Sequence, residues 1–327
     1  MSEPNLGELI ASTDEKRETK PTDLVANANV LFHLMKKQGN VEEGNWGRQI
    51  YIPVTYAQNG GYQAIDATQE INLTFNNTMD DFVYSPKQSV VPVMISEVEK
   101  AMNTGDFATL NLLKERSKTG ETTMINEICS DLNGDGTTRS GKAFAGIKTY
   151  ISDSPATGSV GGFSRVDYTA IRNVAANLPS TYTGATDASN IEDRVLALKN
   201  QIFTQGEKLV GYMGSTFYRY AATALRSRSR MVDEELAAAG FKDHIMLEGI
   251  PFFLAGGFNP SGGTVIAADR FYIMSPSAFK FRAYKGYNMQ ALPNRVSTKQ
   301  LVDVALRVCI AQFTCSDPAR QAVGFDS

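Results

Sequence analysis

The clearest pattern in the sequence is an alternation of apolar and polar residues that starts near Trp46. The run Asn59-Gly60-Gly61 follows it and predicts a tight turn, because residues of these types tolerate positive φ angles. The alternation then resumes, so we predict a β-hairpin over about residues 46–77. The apolar positions on its two sides are Ile50, Ile52, Val54 and Tyr56, then Tyr62, Ile65, Ile71, Leu73 and Phe75.

An isolated two-stranded hairpin of this length is only marginally stable in water, so this one must pack on something else. Two interpretations remain open. Either the strands belong to a larger sheet of the same chain, or the hairpin is an extension that packs on a neighbouring copy of the protein.

The segment before the hairpin has a different character. Residues 11–21 are polar and charged, and the ten residues before them show no sustained apolar period. Such a segment buries too little apolar surface to fold alone, so we predict an extended arm or a disordered tail. A short helix follows, with Thr22 and Asp23 as candidate N-caps and Gly39 near its end.

A second strand pair is predicted over residues 82–95, and a long helix follows from about residue 105 to residue 132, spanning roughly 40 Å. Residues 114–123 in its middle contain charges and Gly120 but no apolar stripe, so the helix either bends there or is exposed. Its apolar positions are Phe107, Leu110 and Leu113, then Met124, Ile125, Ile128 and Leu132.

Residues 151–270 have the pattern of an α/β unit. One helix is predicted from the spacing of Ile191, Val195, Leu198 and Ile202, and another begins after Gly214. The closing segment alternates like a long strand, so the fold class is α+β. Strands are predicted at residues 209–213, 245–254, 264–268, 271–274 and 302–310.

Length and charge limit the number of domains and the classes of protein to consider. The 327 residues correspond to two domains or one large domain. The formal net charge is −3, whereas a dedicated nucleic-acid binder usually has a strongly basic balance or face. The start of the chain lacks the apolar run of a secretory signal, and no run approaches the ~20 residues of a membrane span.

Cysteine and histidine are scarce. The three cysteines, at 129, 309 and 315, have no CxxC spacing, and His33 and His244 are far from them in sequence. We therefore expect buried thiols, no disulfide framework, no zinc site, and synthesis in a reducing cytoplasm. With so few histidines and no nucleophile elbow, no catalytic residue is predicted and no cofactor is expected.

Two loops resemble ligand-binding motifs but lack essential residues. Residues 131–136 match the first half of an EF-hand loop, yet Arg139 and Lys142 occupy positions 9 and 12, where calcium needs oxygen ligands. Residues 157–162 are rich in glycine but have neither the lysine of a P-loop nor the Rossmann glycine spacing. We predict no metal site in the first loop and a flexible loop in the second.

Basic side chains cluster at the end of one predicted helix, at Arg219, Arg226, Arg228 and Arg230. Cations there stabilise the helix dipole, which is the plain interpretation. The functional interpretation is a salt-bridge surface between subunits. DNA contact is less favoured, because no aromatic residues are interleaved with the arginines.

The order of the predicted elements resembles that of the HK97-like major capsid proteins of tailed phages. Those proteins have an extended arm, a long hairpin, a long helix, an α/β unit and a closing strand. Four loop strings add to the resemblance, which covers about residues 40–170 well and the remainder by architecture. The strings are Gly47-Arg48-Gln49-Ile50, Asn133-Gly134-Asp135-Gly136-Thr137, Gly146-Ile147 and Thr157-Gly158-Ser159-Val160-Gly161-Gly162.

The resemblance implies a domain organisation. Residues 1–45 would be an N-terminal arm with a short helix, and residues 46–77 the extended hairpin called the E-loop. The P-domain would comprise residues 78–150 and 271–298, with its spine helix at about 105–132. The A-domain would comprise residues 151–270 and 299–327.

The resemblance also implies a function without enzymatic activity. Subunits of this family form pentamers and hexamers of an icosahedral head, which encloses phage DNA without specific recognition. Their partners include a scaffolding protein, a portal and in many cases a decoration protein, so the protein is expected in the virion. The assembly interface is expected to include Arg48, Tyr56, Asn59, Gly60, Gly61, Tyr62, Arg226, Arg228 and Arg230.

One feature of the family is not expected in this chain. The type member joins a lysine of the hairpin to an asparagine of a neighbouring subunit, but residues 46–78 contain no lysine, and Arg48 is their only basic residue. A guanidinium stays protonated and is a poor nucleophile, so we expect a non-covalent shell. Two alternatives remain open, a soluble α/β enzyme of unrecognised type and a tail or baseplate component.

Overall fold

The computed structural model describes residues 35–36, 38–71, 73, 76–102, 112–177, 190–202, 206–225, 244–254, 266–292, 295–296 and 301–326. The predicted N-terminal arm and most of the short helix after it lie outside these residues. Among the residues described, no helix combines the length and the apolar character needed to cross a membrane.

The described part of the chain contains both strands and helices. The strands are β1 Val41–Gly44, β2 Ile50–Thr55, β3 Met79–Tyr84, β4 Lys87–Ser96, β5 Ser159–Val160, β6 Phe163–Ser164, β7 Val174–Asn177, β8 Val210–Met213, β9 His244–Leu247, β10 Ile250–Leu254, β11 Arg270–Met274, β12 Phe279–Tyr284, β13 Gln290–Ala291, β14 Arg295–Val296, β15 Val302–Cys315 and β16 Ala322–Phe325. The regular helices are α1 Glu97–Met102, α2 Leu112–Leu132, α3 Ile147–Tyr150, α4 Asn190–Gln201 and α5 Ser215–Ala224, and a distorted helical segment lies at Thr138–Gly141.

The first sheet is built on β15, which has 14 residues. β15 pairs antiparallel with β4 from Val302↔Ser96 to Ala311↔Lys87, and its last residues pair with β12. The short strands β13 and β14 also pair with β15, and β1 joins β12 in parallel. The predicted closing strand is therefore confirmed, and it continues five residues further, to Cys315.

The second sheet has the strand order β7-β16-β11-β8-β10-β9. The residues that predicted α4 by their spacing are all buried against it. The strands predicted at 209–213, 245–254 and 271–274 are confirmed, the second of them as the β9–β10 hairpin. The strand predicted at 264–268 is wrong for residues 266–268, because the Ala268 carbonyl accepts a hydrogen bond from Thr216 N at the start of α5.

The two faces of the second sheet belong to different cores. Phe252 and Phe271 face α4 and α5 in the smaller core. Phe253 and Tyr272, their neighbours along the same strands, lie in the larger core with residues of the first sheet. A strand period of two gives this alternation when both faces of a sheet are covered. The larger core therefore spans both sheets.

The long helix α2 lies across β4 and β15. Its described part starts at Leu112, and the section predicted to bend or to be exposed belongs to one continuous helix. Gly120 is buried there, and a Cβ at this position would lie 2.8 Å from Val93 Cγ2 of β4. The sequence therefore has no apolar stripe in this section of the helix because the helix backbone itself touches the sheet at Gly120.

Two arginines bind this helix to its surroundings. Arg116 of α2 pairs with Glu99 of α1 at 2.9 Å and also donates to the Met94 carbonyl of β4. Arg307 of β15 pairs with Glu121 of α2 at 3.0 Å. The helix therefore contacts its surroundings partly through charged side chains. A purely apolar contact would instead have produced a regular apolar stripe in the sequence.

The strand pair predicted at residues 82–95 is wrong in its pairing. β3 and β4 are consecutive strands, but β3 pairs with β2 and β4 pairs with β15. Only Ser85 and Pro86 separate them, and proline cannot donate a ladder hydrogen bond. The chain leaves one sheet and enters the other across these two residues.

The predicted P-domain and A-domain boundaries stay predictions, and the sheets support a different division of the last third of the chain. β15 belongs to the first sheet together with β4, whereas β11 and β16 belong to the second sheet. After β11 the chain crosses to the first sheet at residues 275–278, and after β15 it returns at residues 316–321.

Candidate assembly surface

The hairpin of this protein, residues 50–84, has a buried root. We call β2 and β3 the root; they pair antiparallel from Ile50↔Tyr84 to Thr55↔Met79. Ile50 and Phe82 are fully buried on one face, while Tyr51 on the opposite face is exposed. The Phe82 ring meets Phe163 edge to face with centroids 5.1 Å apart. The root is therefore part of the subunit's own core.

The returning strand lies later in the sequence than predicted. We expected residues 71–75 to pair with β2, but β2 pairs with Met79–Tyr84, and Ile71 and Leu73 are not in a strand. The alternate side chains of β3, Phe82 and Tyr84, reach the aromatic cluster of the core, which fixes this register. The turn predicted at Gly60 and Gly61 is present, but neither residue has a positive φ angle, and the turn lies within a longer loop instead of joining two strands.

A second hairpin, β5–β6, holds the root in place. Gly161 and Gly162 form its turn with φ angles of +57° and +92°. The Gly161 carbonyl accepts a hydrogen bond from Val83 N of β3 at 2.9 Å. A Cβ on Gly161 would lie 2.7 Å from the Phe82 ring, so only glycine allows this approach. The glycine-rich segment predicted as a flexible loop is therefore an anchor.

Beyond the root, residues 57–78 form what we call the tip loop. All of its described residues from 57 to 77 are exposed, and they include four large apolar side chains, Tyr62, Ile65, Ile71 and Leu73. Tyr62 is 91% exposed, Leu73 89% and Ile71 62%. Single exposed apolar residues are ordinary, but several in one projecting loop mark an interaction site.

The tip loop is joined to the root by a few polar contacts. Tyr56 N donates to the Thr78 carbonyl at 3.0 Å, and the Tyr56 hydroxyl donates to the Asn77 carbonyl at 2.9 Å. Asn76 Nδ2 reaches Asn59 Oδ1 at 3.5 Å, which closes the base of the loop. The two sides of the hairpin thus stay adjacent up to Asn59.

The hairpin is acidic throughout. Residues 50–84 include Asp66, Glu70, Asp80 and Asp81 and contain no lysine or arginine. A surface that receives the tip loop is therefore favoured when it is apolar with neutral or basic surroundings, because like charges in a contact are destabilising.

The residues expected at the assembly interface separate into three groups. Asn59, Gly60, Gly61 and Tyr62 lie together on the exposed side of the tip loop. Arg48 is exposed but lies in the turn before β2, outside the tip loop. Their assembly role stays a prediction, and Arg226, Arg228 and Arg230 lie outside the described residues.

Tyr56 is placed differently from the prediction. Its ring packs on the subunit itself, with centroids 4.9 Å from Tyr168 and 5.9 Å from Phe163. This placement supports a structural role at the junction of root and tip loop. An interface role for Tyr56 stays an untested prediction.

A second exposed apolar surface lies on β4. Val90 and Met94 are 44% and 52% exposed, and Pro92 between them is exposed as well. Their neighbours Val91 and Val93 point the other way, towards Gly120 of α2. We call Val90, Pro92 and Met94 the β4 face; it is the side of the first sheet opposite α2.

Two buried tyrosines, one in the root and one beside it, are uncharged. The Tyr84 hydroxyl donates to the Cys315 carbonyl at 2.8 Å, and burial raises the pKa of Tyr84 well above its ordinary value. Tyr150 beside it is fully buried, and burial raises its pKa too. Both groups are neutral hydrogen-bond donors in the folded state.

The calcium-like loop uses its carboxylates internally. Asp131 Oδ2 accepts from Phe144 N at 3.3 Å and lies 3.5 Å, through Oδ1, from Arg139. Asp135 Oδ1 accepts from both the backbone and the hydroxyl of Thr137. Burial raises the pKa of Asp131 in spite of Arg139. Among the described residues, no group of three His, Cys, Asp or Glu side chains could hold a metal ion.

No protein-family model matches the sequence, and a search of curated proteins finds no relative. Solved structures do resemble it. The subunit of the cyanophage A-1(L) capsid matches with a TM-score of 0.62 and 13% identity, over 97% of this chain and 98% of that one. The capsid of the Myoviridae phage XM1 matches with a TM-score of 0.56 and 14% identity, over 96% and 97%.

A third match comes from a different kind of shell. The holo-SrpI encapsulin complex from Synechococcus elongatus matches with a TM-score of 0.55 and 8% identity, over 94% of this chain and 91% of that one. These matches run along almost the whole of each chain. The protein therefore has the HK97-like α+β fold that phage capsid subunits share with an encapsulin, as the sequence predicted.

Proposed function

We propose that the protein is the major capsid protein of a tailed phage, a subunit without enzymatic activity that assembles into pentamers and hexamers of an icosahedral head. One observation carries the proposal. The fold matches that of a cyanophage capsid subunit over 97% of this chain and 98% of that one.

The hairpin supports this proposal independently of the comparisons. Its root is buried in the subunit, while Tyr62, Ile71 and Leu73 of the tip loop are largely exposed. Burying such side chains yields roughly 25 cal/mol per Å² of apolar surface. In a shell, a neighbouring copy would cover them, and the exposed apolar β4 face is the surface that we propose for this contact.

The proposed shell has further partners. A scaffolding protein and a portal would direct assembly, and a decoration protein would reinforce the shell from outside. The DNA would be enclosed without specific recognition, in keeping with the net charge of −3. Because the hairpin offers no lysine, contacts between subunits would be non-covalent.

The proposal is tested with the full chain and a variant of its tip loop. We expect the expressed wild-type protein to form capsomers or shells in negative-stain micrographs. The triple variant Tyr62→Ser, Ile71→Ser, Leu73→Ser should stay unassembled with an unchanged thermal midpoint, since these side chains make no buried contact in the subunit. Boiled in SDS, the assembled protein should run as a single band near 35.7 kDa.

A matched control changes polar residues of the same loop, with Gln63→Ser, Thr68→Ser and Gln69→Ser. This variant should assemble like the wild type. A small monodisperse oligomer from the wild type would instead favour an enzyme, and open tubes would favour a tail component. Nuclease-protected DNA inside particles from the native host cell would distinguish a phage head from an encapsulin-like shell.

A further inference from the structure

The two crossings between the sheets meet at one carboxylate. Glu207 lies just before β8 of the second sheet. Its Oε2 accepts hydrogen bonds from Ser275 Oγ at 2.7 Å and Ser277 Oγ at 2.5 Å, and its Oε1 accepts from Arg320 Nη1 at 3.2 Å. The serines lie in the crossing from β11 to β12, and Arg320 lies in the crossing from β15 to β16.

The crossings are also bonded directly to each other. Ser275 N donates to Gln321 Oε1 at 3.0 Å, and Ser316 N donates to the Ala278 carbonyl at 2.9 Å. Asp317 Oδ2 lies 2.7 Å from Arg320 Nε, which orients the guanidinium towards Glu207. The two crossings, residues 275–278 and 316–321, thus run side by side, and Glu207 is hydrogen-bonded to both.

Glu207 binds both crossings as an ionised carboxylate. The two serine hydroxyls and Arg320 hold the pKa of Glu207 below its ordinary value, so it is ionised at neutral pH. Glu207 is partly exposed, so its ion pair with Arg320 adds little to the stability of the subunit. The apolar core that spans both sheets holds them together. What Glu207 adds is geometry, because hydrogen bonds to a carboxylate constrain distance and angle.

We propose that Glu207 is a positioning residue that sets the angle between the two sheets and thereby the curvature with which subunits assemble. The second half of this inference rests on the proposed function. Loss of these hydrogen bonds would permit a rotation of a few degrees at the crossings. The same rotation changes the size of a closed shell, because every subunit repeats it.

The test compares Glu207→Gln with wild type and with Asp193→Asn, which removes an exposed carboxylate of α4 in the same half of the molecule. In the unassembled subunit, hydrogen exchange at the Ser275 and Ser316 amides should be about tenfold faster in Glu207→Gln. These amides bond one crossing to the other, and the crossings open more readily once the charge that binds the Ser275 hydroxyl and Arg320 is removed. Thermal midpoints should stay close to wild type. Assembled Glu207→Gln should give particles of more than one diameter.

The control variant should match wild type in exchange and in particle diameter. Unchanged exchange at both amides would show that Glu207 does not hold the crossings. Faster exchange with particles of wild-type diameter would refute the role in curvature. If even the wild type forms no particles, the proposed function fails and the curvature role with it, while the exchange rates still decide whether Glu207 holds the crossings.

Discussion

The root and the tip loop of the hairpin both carry large apolar side chains, but these side chains have opposite surroundings. In the root, Ile50 and Phe82 have no exposed surface and pack among aromatic rings of the same subunit. In the tip loop, Tyr62 and Leu73 are about as exposed as side chains can be. One alternating pattern therefore serves two purposes, and only the three-dimensional contacts tell them apart.

The difference shows where folding ends and association begins. The Tyr56 ring, packed on Tyr168 and Phe163, belongs to the last part of the hairpin that the subunit itself stabilises. Beyond Asn59 and Asn76 the described chain offers no further partner for the apolar side chains. Substitutions in the root should therefore change the stability of the subunit, and substitutions in the tip loop should change association alone.

The largest effect is expected from Phe82→Ala in the root. Truncating a fully buried phenylalanine leaves a cavity and costs about 3–5 kcal/mol of unfolding free energy. Chemical denaturation with tryptophan fluorescence, using the single Trp46, measures this loss. A loss below about 1 kcal/mol would mean that the root does not belong to the core.

A smaller loss is expected from Gly161→Ala in the anchor of the root. The added Cβ would lie 2.7 Å from the Phe82 ring at a positive φ, so overpacking should cost about 1–3 kcal/mol. The neighbouring Gly158→Ala is a suitable control, because it shares a positive φ but has no atom within 4 Å of the added Cβ. Equal losses in both variants would show that backbone strain, not contact with Phe82, is responsible.

The smallest effect is expected from Tyr84→Phe, which removes the hydrogen bond to the Cys315 carbonyl and should cost about 1 kcal/mol at neutral pH. Because the folded pKa is raised above the unfolded value near 10, the stabilising contribution of Tyr84 is complete below pH 10 and falls as the pH rises further. The variant should lose stability less steeply above pH 10, by up to about 1.4 kcal/mol per pH unit. Parallel alkaline unfolding curves would contradict this.

Local patterns predicted the elements whose burial follows from their own sequence. Ile191, Val195 and Leu198 recur at helical spacing and form the buried face of α4. The alternating residues of β15 lie in one strand that has hydrogen-bonded partners along its length. In both, the period of apolar residues matches the geometry of the element. Both patterns can be recognised in the sequence without knowing which distant residues the element contacts.

The returning strand of the hairpin could not be chosen in this way. Ile71 and Leu73 alternate as well as Phe82 and Tyr84 do, and only the position of Phe163 decides between them. A signal for that anchor was present, since Gly161 and Gly162 stand between the apolar residues Val160 and Phe163, as in a two-residue hairpin. Glu207 gives no signal, because its partners come from two distant crossings.

The pairing of β1 with β12 and of β4 with β15 has a consequence for the order of folding. Val41 lies opposite Phe281, and Ser96 lies opposite Val302, so the first sheet joins segments made early with segments made last. Such non-local contacts form slowly and demand that nearly the whole chain be present. The tip loop leaves the ribosome early, whereas the β4 face acquires its supporting strand only when synthesis is almost complete. If the β4 face receives the tip loop, as proposed above, nascent chains lack that surface until β15 has formed.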